Sequence, residues 1–190
     1  MLIDKLRGGD RRSLGESAAV VEAVAKTPAL FADLFECLFD DDPVVRMRAA
    51  DAVEKVTRDS PQLLQPWKRP LLETVAARKE KEVRWHVAQL LPRLQFTPAE
   101  RETAVAILTG YLTDESSIVK TFSMQALVDL AEQDSSLLDQ VVPLIERLSK
   151  TGTPAMRSRG RRLLKQLGFE RDPRSASRAR SGQAKPPVPP

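Results

Sequence analysis

The chain has 190 residues and a mass of 21.1 kDa, with 30 Lys+Arg against 26 Asp+Glu, 42% hydrophobic but only 5% aromatic residues, one Cys and one His. Such a length fits one folded unit burying about 70% of its unfolded surface, while one thiol and one imidazole leave no disulfide framework and no Cys/His metal or catalytic pair. The opening residues Met1 to Arg7 lack an apolar signal core, and no stretch reaches the roughly 18 uninterrupted apolar residues of a membrane span, so a cytoplasmic chain is expected.

Apolar residues recur at helical spacing from about residue 13. A first, unpaired helix is expected near 13–26. Cap residue plus proline then punctuates the chain: Thr27-Pro28 opens a helix over 28–39, Asp42-Pro43 one over 43–58 and Ser60-Pro61 one over 61–77. Helices follow over 80–95, over 98–112 after Thr97-Pro98, over 115–132, over 135–149, and over 154–168 after Thr153-Pro154. Proline at the first helical position loses no helical hydrogen bond, and the preceding hydroxyl or carboxylate accepts from an orphan N–H. Thr97 and Glu100 have capping-box spacing. No segment sustains strand alternation, so the fold class is all-α.

Four of these segments superpose without gaps on an apolar-basic pair: Val45-Arg46, Val83-Arg84, Val119-Lys120 and Met156-Arg157. The basic residues lie 38, 36 and 37 positions apart. Counting from each, the sixth, seventh and tenth residues on are always apolar: Ala52/Val53/Val56, Leu90/Leu91/Leu94, Ala126/Leu127/Leu130 and Leu163/Leu164/Leu167. At about 100° per residue they share one helix face, and each such helix is preceded by another apolar one.

These paired helices, with Asp-Pro-Val-Val-Arg-Met-Arg-Ala-Ala-Asp-Ala-Val, Glu-Val-Arg-Trp-His-Val-Ala-Gln-Leu-Leu and Ile-Val-Lys-Thr-Phe-Ser-Met-Gln-Ala-Leu, resemble HEAT repeats over about residues 27–168. The resemblance implies a right-handed α-solenoid of about four helical hairpins with an extra N-terminal helix. It also implies an Asp in each hairpin turn and an Arg opening each second helix, laddered between repeats. Asp40 to Asp42 and Asp114 fit, whereas the second repeat has Arg78-Lys79-Glu80 and the fourth Lys150-Thr151-Gly152. The period is shorter than the roughly 40 to 47 of HEAT and armadillo repeats and longer than the roughly 34 of tetratricopeptide repeats.

Around the solenoid, residues 1–12 read as a lead, 13–168 as the repeat domain and 169–190 as a tail. From Glu170 onward the chain lacks Leu, Ile and aromatics and is crowded with Arg, Ser and Pro. Burial there does not offset ordering entropy, so the tail is expected to be disordered. Its Pro-Pro-Val-Pro-Pro end reads as solvated chain more readily than as a polyproline ligand. Residues 145–190 hold 12 Lys+Arg and 3 Asp+Glu, a net +9, leaving −5 for residues 1–144.

Solenoids present their second helices as an extended binding surface. The residues opposite the core face are Met47, Asp51, Glu54 and Lys55 in the first repeat and Trp85, Gln89, Pro92 and Arg93 in the second. They continue as Thr121, Gln125, Val128 and Asp129, then Ser158, Arg162, Lys165 and Gln166. A partner is therefore expected on Met47, Asp51, Trp85, Gln89, Arg93, Gln125, Arg162 and Lys165, with Trp85 as the anchor, since an outward Trp offers a large amphipathic area. Trp67 is at core spacing. His86 and Cys37 read as structural, the latter a buried, inert thiol within Leu34, Phe35, Leu38 and Phe39.

Arg159, Arg161, Arg162 and Lys165 form a basic cluster continuous with Arg171, Arg174, Arg178 and Arg180. It suits phosphates, an acidic protein surface or anionic lipid, and without interleaved aromatics it does not suit base readout. No Gly-rich phosphate loop, nucleophile elbow or metalloprotease motif occurs, and Asp40 to Asp42 read as turn caps. The expected function is a non-catalytic protein-interaction scaffold without cofactor or metal. The alternative is nucleic-acid binding through the basic fourth repeat and tail. Resemblance to HEAT-type folds also covers alkylated-base DNA glycosylases, in which Trp85, Asp51 and Arg93 would be the site. Homo-oligomerisation is open, since nothing in the sequence measures it.

Overall fold

A computed structural model describes residues 2–8 and 13–169. The tail beyond Phe169, including its arginines and Pro-rich end, lies outside the described residues. Among those residues every regular element is helical. A 3-10 turn at Leu2–Lys5 leads to α1 (Ser17–Lys26) and α2 (Phe31–Glu36, flanked by 3-10 turns), then α3 (Pro43–Asp59). A 3-10 helix at Pro61–Trp67 runs through α4 (Lys68–Pro70) into a π-turn at Leu71–Val75. There follow α5 (Lys81–Leu90), α6 (Pro98–Tyr111), α7 (Ser117–Gln133), α8 (Leu138–Thr151) and α9 (Pro154–Gln166).

Three of the five cap-plus-proline pairs act as expected, at Asp42, Thr97 and Thr153, whereas the Thr27 and Ser60 side chains make no cap hydrogen bond. Asp42 accepts from the Val44 N–H at 2.8 Å and Thr153 from Met156, each ahead of a proline at the first helical position. Thr97 and Glu100 close a capping box. The irregular 61–75 segment follows from Pro66 and Pro70, which remove two backbone donors and break the regular ladder into 3-10 and π turns.

The second helices pack in an unbroken row, α1 on α3, α3 on α5, α5 on α7 and α7 on α9, with the first helices behind them. Ten of the twelve repeat-position apolar residues are buried. Leu164 and Leu167, the other two, are half-buried; among the described residues no helix packs on the far side of α9. The N-terminal helix, expected to be unpaired, sits in the inner row and meets the Leu2–Lys5 turn, making an abbreviated leading repeat. Leu6, within the expected lead, is fully buried.

Two features fix this leading unit. Arg48, 2% exposed, donates from Nη1 to the carbonyls of Leu6 (2.9 Å), Arg7 (3.2 Å) and Gly8 (2.6 Å), and from Nε to Ser13 (3.0 Å). Gly15 is in the left-handed region at φ 53°, and a Cβ there would lie 2.8 Å from Arg48 Nη1, so the close approach of loop and guanidinium requires glycine.

The inter-repeat ladder is more complete than the missing Asp residues suggest. Arg46 holds the Asp40 and Asp41 carbonyls of its own turn and pairs with Glu80 of the next repeat. Glu80 thus fills the rung in the repeat that lacks the Asp. Arg84 repeats the pattern, donating to the Arg78 carbonyl at 2.8 Å and pairing with Asp114 at 2.5 Å. At the last junction the charged rung gives way to a 3.3 Å contact between the Ser117 and Thr153 hydroxyls.

Candidate interaction surface of the inner helix row

The helical-wheel row treats each second helix as having one covered face, but the inner helices are flanked on both sides. Three expected contact residues are corrected by that crowding. Met47 is 5% exposed and Asp51 7%, because α1 and α5 close over the flanks of α3. Asp51 accepts from the Ser17 hydroxyl at 2.7 Å and from Lys55 at 2.8 Å, tying α3 to α1. Arg93 is committed to α3, bonding the Glu54 carbonyl at 2.5 Å, the Glu54 carboxylate at 2.5 Å and Thr57 Oγ1 at 2.8 Å. Glu54 and Val128, also in the expected row, are buried. With Asp51 and Arg93 serving as helix clamps, the glycosylase-like assignment of Trp85, Asp51 and Arg93 loses two of its three residues.

Trp85 is half-buried, packed against the core, with its ring edge-on to His86 at 5.5 Å between centroids. Its carbonyl accepts from Gln89 at 3.2 Å. His86 is buried beneath it, and Nδ1 has no hydrogen-bond partner. Burial pushes its pKa down to about 4, a pull larger than the opposing attraction of Asp51 and Glu54. A neutral, buried imidazole fits a packing role. Trp67, expected in the core, is half-buried and stacks on Phe35 at 4.6 Å. Cys37 is buried, donates to the Asp33 carbonyl, and has its thiol pushed up to about 11 by burial and then by Asp40 and Asp33.

About one turn along α5 from Trp85 a cleft of about 400 Å³ opens between α5 and α7, walled by Gln89, Pro92, Phe122, Gln125, Asp129 and Gln133. Its cause is Pro92, at which α5 gives way to a 3-10 turn at Leu91–Arg93 while α7 continues for 17 residues. Gln133 donates to the Pro92 carbonyl at 2.8 Å and closes the far end. Gln125 donates to Asp129 at 2.8 Å and accepts from Arg159 at 2.9 Å, and the Arg159 guanidinium lies 5.8 Å from the Phe122 ring centroid. Burial raises the Asp129 carboxyl above its ordinary value, only partly opposed by the Gln125 hydrogen bond. The helical wheel had placed Gln125 and Asp129 outward; what it missed was the cleft, whose signal in the sequence was Pro92.

On α9, Arg161, Arg162 and Lys165 are exposed, as is Arg157, whereas Arg159 is half-buried over the cleft and leaves the basic cluster for a structural bond. Arg157, Arg161 and Arg162 make no ion pair with a described residue. Among the described residues no group of His, Cys, Asp and Glu could hold a metal ion, and no helix is long and apolar enough to cross a membrane.

No curated protein matches the chain. Among solved structures it is similar to the designed armadillo repeat protein YIII(Dq)4CqI, with a TM-score of 0.63 at 14% identity over 95% of this chain and 87% of that one, a likeness of fold. The description of the HEAT repeat domain matches residues 9–167. The stacked second helices, the Arg46 and Arg84 rungs and that match together place the chain in the HEAT repeat family.

Proposed function

We propose that the protein is a cytoplasmic, non-catalytic interaction scaffold that holds a protein partner on its inner helix row. HEAT and armadillo folds are typical of such scaffolds, and Trp85 supports the assignment here: a partly exposed Trp one turn along α5 from the cleft, on the continuous face of the stack, has the makings of a binding anchor. The contact set is Trp85, Gln89 and Gln125, with Arg162 and Lys165 at the basic end; Met47, Asp51 and Arg93 take structural parts. Affinity capture from nuclease-treated lysate, comparing wild type with Trp85→Ala, tests this. A captured protein partner is expected to bind Trp85→Ala at least about 2 kcal/mol, or roughly thirtyfold, more weakly. Affinities equal to within about 0.5 kcal/mol for every partner would sink the reading.

The exposed, unpaired arginines of α9 favour one second reading, phosphate-backbone binding to nucleic acid. It calls for log K to fall with log salt at a slope near −3 to −4 if about four cations of α9 each neutralise a phosphate. Arg161→Glu with Arg162→Glu is expected to make that slope shallower by about 2. Weak binding that ignores salt would exclude it.

A further inference from the structure

Within the inner-row helices, each other buried or half-buried carboxylate has a cation within 4 Å: Asp51 has Lys55 at 2.8 Å, Glu54 has Arg58 at 2.8 Å and Arg93, and Glu82 has Lys81 at 3.9 Å. Asp129 is the exception. It stands half-buried in the α5–α7 cleft with one hydrogen bond, from the neutral amide of Gln125. Arg159 is near enough to bias its titration, yet its Nη1 is spent on Gln125 and its plane lies by Phe122, and it forms no ion pair with Asp129. Three carboxamides, Gln89, Gln125 and Gln133, wall the same space. They are dipoles that can solvate a cation or pair with a peptide backbone, but they do not neutralise a carboxylate.

We propose that the α5–α7 cleft receives the ammonium or guanidinium of a basic side chain from an extended partner segment, which pairs with Asp129 and then runs toward α9 to set acidic residues on Arg161 and Arg162. This rests on the scaffold reading and specifies the partner's chemistry. The spacing follows from the stack: helix axes are about 8 to 10 Å apart, so the cleft and the outer face of α9 are separated by roughly 13 to 15 Å, or about four residues of extended chain. A single basic residue with an acidic pair four positions away matches both charges of the face. Asp129 is costly to the fold because burial disfavours its charged form. A half-buried carboxylate that lines an open cleft and has no internal cation is placed to receive one from outside.

The test uses the full chain and fluorescein-labelled nonapeptides on a Gly/Ser background, each with one Arg and a Glu pair placed two to six residues from it, read by anisotropy. Wild type is expected to bind best at a separation of about four, and to lose at least tenfold in affinity when the peptide Arg becomes Gln. Asp129→Asn is expected to remove that Arg preference while melting no lower than wild type, since the substitution relieves a buried charge. Equal binding of Arg and Gln peptides by wild type, an unchanged preference in Asp129→Asn, or no binding up to millimolar peptide would each overturn the proposal. If Trp85→Ala weakens both peptides alike while Asp129→Asn changes nothing, the scaffold reading stands and the cation assignment falls. Self-association of wild type that Asp129→Asn abolishes would assign the cleft to a second copy and likewise overturn it.

Discussion

Replacement of Arg48 by alanine is expected to cost about 3 to 5 kcal/mol, among the largest effects of a single substitution in this chain. The guanidinium is buried and gathers four carbonyls of the leading segment, those of Leu6, Arg7, Gly8 and Ser13. Hydrogen bonds to a charged donor contribute about 1.5 to 3 kcal/mol each, and the loss is tempered because a released segment rehydrates its carbonyls. The segment also covers α1, which Ser17 and Asp51 tie to α3, so its release strips the end of the inner row. Urea unfolding should show the midpoint shift, and limited proteolysis should cut near residues 6–16 in the variant before wild type. Arg48→Lys should recover little, because an ammonium presents one point charge where the fork reaches four acceptors. A midpoint within experimental error of wild type would show that the leading repeat does not depend on this residue.

Acid should destabilise the protein well above the ordinary carboxylate range, and His86 is the cause. Its folded pKa of about 4 lies below the ordinary 6.5, so the folded chain binds fewer protons than the unfolded one in that interval. Stability attributable to His86 is therefore present in full above pH 6.5 and is lost as pH falls toward 4. At about 1.36 kcal/mol per pH unit, lowering pH from 7 to 5 removes about 2 kcal/mol, and the whole window about 3. Burial pushes Glu54 and Glu80 up, but Arg93 and Arg58 at the first and Arg46 at the second outweigh it and hold both below their ordinary values, adding loss in the same direction at lower pH. His86→Gln should flatten the dependence between pH 6.5 and 4.5 while keeping the acid limb of the carboxylates. A slope in the variant equal to that of wild type would refute the assignment.

Both effects arise at residues whose neighbours are distant in sequence, and neither was evident from periodicity. Arg48 lies between apolar positions of α3, and its acceptors in the leading segment are 35 to 42 positions away. His86 read as structural, but the depth of its burial depends on α3 and α5 lying side by side. The same holds for the expected contact row: Met47 and Asp51 face outward on an isolated helix and inward in a row, whereas Trp85 keeps part of its surface.

The amino-acid sequence by itself determined the class, the period and the limits of most second helices, but not the late start of α1 at Ser17 or the break-up of the expected helix 61–77 into 3-10 and π turns. The features it determined depend on local chemistry: prolines at first helical positions, cap oxygens, and apolar residues spaced to one side of a 3.6-residue turn. It determined the ladder in part, since the acidic partner was sought as Asp and the longer side chain of Glu80 makes the same rung. Only the tertiary structure decided which polar residues are clamps and which remain available. Asp51, Arg93 and Arg159 became bonds between helices, and Asp129 was left without its cation. The physical reason is lateral: a helix in a solenoid row is covered by its neighbours on both flanks, and one sequence period encodes the face toward its own hairpin but not those two.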